Sequence, residues 1–139
     1  MTTKVAPGVA TLGGLTVLIV EDDYLLAKEI AILLRDQGAK VLGPIPDAAR
    51  ARALVSVETP DCALLDINLK GQFVFEFAQE LRDRGLPVIF ITGYSITVLP
   101  HSFQNSPYLC KPFQPQALIA MVKQETATAA LQRSGDAAR

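Results

Sequence analysis

A chain of 139 residues is long enough to bury one full core and short for two, so a single domain is expected. Half of its residues are hydrophobic, 19% are charged and the formal net charge is -1, with no block of lysine or arginine. That argues against disorder and against a basic nucleic-acid-binding face, and no apolar run approaches the ~18 residues that would span a bilayer.

Residues 1–14, "MTTKVAPGVATLGG", lack a continuous apolar stretch and read as a flexible leader rather than a signal peptide. The run "TVLIV" at 16–20 predicts a strand buried on both faces. Leu26, Ile30, Leu33 and Leu34 follow at helical spacing, closed by Gly38. "AKVLGP" at 39–44 predicts a second strand. An Ala-rich helix over about 47–57 follows, with Asp47 as its N-cap. "CALLD" at 62–66 is a third strand that ends on a carboxylate, after which Asn68 and Gly71 turn the chain. Val74, Phe77, Ala78 and Leu81 mark another helix that ends at Gly85. "PVIFIT" at 87–92 is the fourth strand. Residues 94–106 contain β-branched residues, Pro100 and Asn105, which predict a short or irregular helix. "PYLC" at 107–110 is the fifth strand. A helix over 114–131 carries Ala117, Leu118, Met121 and Val122 on one face, and 132–139 read as a frayed tail.

Five alternations of strand and helix imply an α/β domain over 15–131, a five-stranded parallel sheet with helices on both faces. Cys62 and Cys110 sit in apolar strand-like runs without CxxC or His-pair spacing. They are expected to be reduced, buried thiols of a cytoplasmic protein, neither a disulfide nor a zinc site.

In such sheets ligands bind beyond the carboxyl ends of the strands. There the sequence places Glu21-Asp22-Asp23 after strand one, Asp66 after strand three, Thr92-Gly93 after strand four and Lys111-Pro112 after strand five. Two carboxylates ~4 Å apart repel by about 4 kcal/mol at an effective dielectric of ~20. One lysine leaves Glu21, Asp22 and Asp66 net negative, and a hard divalent cation such as Mg²⁺ fits the remainder. With that charge neutralised, Asp66 can act as a nucleophile toward phosphorus, flanked by Lys111 and the Thr92 hydroxyl. Asp23 reads as the N-cap of the first helix. His101, the sole histidine, stands beside Pro100 with no partners in sequence, which argues against a phosphotransfer or metal role.

"VLIVEDD", "ALLDIN", "VIFITG" and "YLCKPF" together resemble the receiver domain of two-component response regulators, over residues 15 to about 131. The resemblance implies the flavodoxin-like strand order 2-1-3-4-5. It further implies Asp66 as phosphoacceptor; Glu21, Asp22, Asp66 and the Asn68 main-chain carbonyl as Mg²⁺ ligands; and Lys111 as the phosphoryl-contacting lysine with a cis Lys111-Pro112 bond. Thr92 and Tyr108 would be switch residues. "RGLPVIFITGY" and "LLDINLKG" look closer to a stand-alone, alphaproteobacterial subgroup with a Phe-x-Thr-Gly-Tyr element. Tyr94, two residues beyond Thr92, either shields the phosphoryl group from water or only packs. Tyr108 departs from that subgroup, which often lacks an aromatic there. The segment between Thr92 and Lys111 is shorter than the family's usual one and Pro100 interrupts it, which argues against a regular fourth helix and against standard dimerisation through that face.

The expected function is a single-domain response regulator that takes a phosphoryl group from a histidine kinase or histidine phosphotransfer protein onto Asp66. It would signal through a downstream protein target, with a homodimer possible and no direct contact with nucleic acid or membrane. Only 28 residues follow Lys111, too few for an output domain. Two alternatives stand beside it. A pseudo-receiver would bind protein without being phosphorylated; the intact Glu21, Asp22, Asp66 and Lys111 argue against it. An aspartyl-phosphate phosphatase would need an acid/base two residues past the nucleophile, where Asn68 stands instead.

Overall fold

The computed structural model describes residues 11–69, 72–93 and 99–137. Five parallel strands form one sheet: β1 (Thr16–Val20), β2 (Lys40–Ile45), β3 (Cys62–Asp66), β4 (Val88–Thr92) and β5 (Tyr108–Cys110), in the order β2-β1-β3-β4-β5. The strand order is the one the resemblance implied.

Strand side chains alternate between two cores, as the period of two requires. Leu18, Val20, Ala63, Leu65 and Phe90 pack under α2 (Ala48–Val55) and α3 (Phe75–Asp83). Val17, Ile19, Cys62, Leu64, Ile89 and Ile91 pack under α1 (Tyr24–Asp36) and α4 (Pro115–Ala137). Every residue of β3 and β4 is buried, because both lie inside the sheet with a helical layer on each face.

The helix starts follow their expected caps. Asp23 accepts the Leu26 N–H at 3.2 Å and Asp47 accepts the Arg50 N–H at 2.8 Å. Several details differ from the sequence reading. Leu12, inside the expected leader, is fully buried against the α1/α4 core. The buried stripe of α4 is Leu118, Val122, Thr126 and Ala129, and Ala117 is exposed; the helix runs on through Ala137. Thr126 fits a buried position because its hydroxyl donates to the Val122 carbonyl at 2.8 Å. Cys62 is buried as expected, but Cys110 is exposed, being the last residue of an edge strand.

Asn68–Leu69 and Gln72–Phe73 form a short antiparallel ladder between β3 and α3, beyond the plain turn expected there. In the segment expected to be irregular, Tyr94 and the rest of 94–98 lie outside the described residues. Among the described residues of that segment, a 3₁₀ turn, His101–Phe103, follows Pro100. Arg82 of α3 clamps it: the guanidinium lies 4.2 Å from the Phe103 ring and donates to the Ser102 carbonyl and the Ser106 hydroxyl.

Phe77 is 1% exposed at the centre of the α2/α3 core, whereas Val57 is 82% exposed. Phe77→Ala is expected to cost about 3–5 kcal/mol and Val57→Ser no more than about 0.5 kcal/mol, read from urea unfolding midpoints.

Candidate functional site

Adjacency in the sheet brings the chemistry together. Val20 pairs with Leu65 across β1 and β3, so the next residues, Glu21 and Asp66, emerge side by side at the carboxyl edge. Both are nearly buried, at 3% and 5% exposure. The Lys111 ammonium reaches them from beyond β5, with Nζ 3.0 Å from Glu21 Oε1 and 3.3 Å from Asp66 Oδ2. The Lys111 main chain is anchored by its N–H, which donates to the Thr92 carbonyl at 2.7 Å, and the Lys111-Pro112 bond is cis as expected.

The remaining carboxylate oxygens are held by backbone. Asp66 Oδ1 accepts the Asn68 N–H at 3.2 Å, and Glu21 Oε2 accepts the Asp23 N–H at 3.1 Å. Thus Asp23 caps α1 with its side chain while its backbone orients Glu21, a second role the sequence did not reveal. Asp22 is half-buried beside them, and one oxygen from each of Glu21, Asp22 and Asp66 lies within 4.8 Å of the others. Thr92 is fully buried at the end of β4. Tyr108 is half-buried, packed against the α2/α3 core opposite Phe90. Asn68 is half-buried at the start of the short ladder.

The electrostatics follow from this crowding. Burial first, then the Asp66 carboxylate, push the Glu21 carboxyl up to about 7; the Asp23 N–H and Lys111 pull it back only in part. Burial alone would lower the Lys111 ammonium, but Glu21 and Asp66 outweigh it and hold it above its usual range. One ammonium does not balance three carboxylates. A cluster of hard oxygen donors with excess negative charge is what a small divalent cation requires, so the residues fit such an ion.

Against known proteins, the family model of the response regulator receiver domain matches residues 17–123. The chain belongs to that family. The receiver domain is 34% identical over 111 residues to the DNA-binding response regulator MtrA of Mycolicibacterium paratuberculosis, covering 77% of this chain and 49% of that one. It therefore spans about half the length of the curated relatives it matches. Among solved structures it resembles the response regulator PhyR from Brucella abortus, with TM-score 0.77 and 28% identity over 88% of this chain and 51% of that one. The signal receiver domain of a diguanylate cyclase from Desulfovibrio desulfuricans is 32% identical, with TM-score 0.77, over 85% of this chain and 98% of that one.

Because folding raises the Glu21 pKa, its contribution to stability is fully present below its unfolded value of 4.5 and is lost as pH rises through about 7. The metal-free receiver domain is therefore expected to lose thermal stability between about pH 5 and pH 8, and Glu21→Gln is expected to flatten that slope in a pH series of melting curves.

Proposed function

We propose that this receiver domain accepts a phosphoryl group on Asp66 from a phosphohistidine of a histidine kinase or phosphotransfer protein, in a Mg²⁺-dependent reaction. The observation that carries the reading is the placement of Asp66: nearly buried, held by the Asn68 N–H, and 3.3 Å from the Lys111 ammonium. A carboxylate oxygen of Asp66 attacks phosphorus; the P–N bond breaks and its electrons return to the imidazole ring. Hydrolysis removes the phosphoryl group: water attacks phosphorus and the P–O bond to Asp66 breaks, releasing inorganic phosphate and restoring the carboxylate.

Glu21, Asp22, Asp66 and the Asn68 carbonyl would hold Mg²⁺, which when bound supplies charge neutralisation at the phosphoryl oxygens. Lys111, already paired to Asp66, would transfer its pairing to the phosphoryl group. Thr92 would donate its hydroxyl to another phosphoryl oxygen, and Tyr108 would follow that movement, biasing a two-state equilibrium near β4 and β5. Output passes to a downstream protein target. The first turn of α1 presents Tyr24 and Leu25 at 75% and 70% exposure, one residue beyond the acid pair, which suits docking of a protein phosphodonor. The domain's site of action on this reading is the cytoplasm, where histidine-kinase phosphodonors act; among the described residues no helix is long and apolar enough to cross a membrane.

Incubation with acetyl phosphate and Mg²⁺ is expected to add one phosphoryl group by intact-mass spectrometry. Asp66→Asn and omission of Mg²⁺ should each abolish the gain, and Lys111→Met should leave binding of Mg²⁺ but slow phosphorylation by about 10²-fold or more. An equal gain in Asp66→Asn overturns the assignment.

A further inference from the structure

β2 carries an irregularity that the reaction outlined above leaves without a role. Thr16, Val17 and Leu18 of β1 face Lys40, Val41 and Leu42, so a regular ladder would set Val20 against position 44. Val20 instead faces Ile45, which means one extra residue has been admitted to β2. The hydrophobic pattern registers the same step: Val41 packs with the α1/α4 core and Leu42 with the α2/α3 core, yet Ile45 again packs with the α2/α3 core. Two residues three apart share a face only because the bulge intervenes.

The bulge sits at Gly43, and no other residue fits there. Its φ is +92°, and an added Cβ would lie 2.8 Å from the Ile45 nitrogen and 2.9 Å from the Ile19 carbonyl oxygen. Both obstacles are backbone, so neither can swing aside.

What the extra residue delivers is the Ile45 carbonyl, which accepts the Glu21 N–H at 3.0 Å. That bond fixes the main chain of Glu21 one residue past the end of β1. The side-chain contacts already described then aim Glu21 at Lys111. The same step turns Pro44 and Pro46 toward α1, where with Ala27 and Ala31 they wall a cavity of about 360 Å³ that opens onto Glu21 and Asp22.

We infer that the Gly43 bulge is a positioning element for the acid pair: by presenting the Ile45 carbonyl to Glu21, it sets the geometry with which Glu21 and Asp22 take a divalent cation. Gly43 and Ile45 touch neither the cation nor the phosphoryl group; they act through the main chain of Glu21. This rests on the metal-site reading, and its test separates the two.

The experiment uses the full chain, Mg²⁺ alone as probe, and three proteins: wild type, Gly43→Ala and Val55→Ala. Val55 is a buried α2 residue remote from the acids in sequence and serves as a control for lost stability. The readout is the rise in melting temperature with Mg²⁺ concentration, which reports the dissociation constant by mass action even for a weakened fold. Gly43→Ala is expected to raise that constant about tenfold or more, while Val55→Ala keeps the wild-type value. A wild-type constant in Gly43→Ala overturns the inference. Should wild type itself bind no Mg²⁺, the metal reading fails, and amide hydrogen exchange decides the bulge: faster exchange at Glu21 in Gly43→Ala but not in Val55→Ala supports positioning, and unchanged protection overturns it.

Discussion

One ammonium shared by two nearly buried carboxylates is the constraint around which the carboxyl edge is arranged. Glu21 and Asp66 stand on neighbouring strands because β1 and β3 are adjacent and in register, and neither is stable there as a lone anion. Lys111 lies two strands from Asp66, with β4 between, so only a long side chain anchored at the end of β5 can span the gap. Its backbone bond to Thr92 ties that anchor to β4. Removing the lysine from such a cluster costs more than the pair itself contributes, because it leaves two nearly buried carboxylates without their counter-charge.

The same arrangement leaves the site deliberately short of positive charge. Burial, which denies Glu21 water, and then the neighbouring Asp66 carboxylate drive Glu21 up to about 7, and Lys111 offsets them only in part. That deficit is what the proposed cation, and afterwards the proposed phosphoryl group with its own demand for Lys111, would exploit. Stability of the metal-free domain and readiness of the site thus draw on the same interaction in opposite directions.

Much of this was legible in the sequence because it is carried by local signals. Runs of four to six apolar residues marked the five strands, and acids, hydroxyl and lysine immediately after them marked the edge. Asp23 and Asp47 announced helix starts that the structure confirms atom by atom. What escaped depends on register or on distant partners. The Gly43 bulge is invisible without knowing which residue of β1 faces which of β2. The exposure of Cys110 follows from β5 being an edge strand, and the burial of Leu12 from a docking site formed by elements far along the chain. The Arg82 clamp on Phe103 joins residues twenty-one apart through an aromatic face, a pairing no periodicity reveals. The last turns of α4 outlast the sequence pattern because a helix already nucleated by its packed stripe extends at little further cost.

A double-mutant cycle between Glu21 and Lys111 tests the shared-ammonium account most directly. Glu21→Gln, Lys111→Met and the pair would be unfolded in urea at pH 8 without metal, where Glu21 is ionised in the folded state. A coupling energy of about 1–3 kcal/mol is predicted, with Lys111→Met far more costly when Glu21 is present than when it is absent. Additive effects of the two substitutions would contradict the claim that these groups form one electrostatic unit.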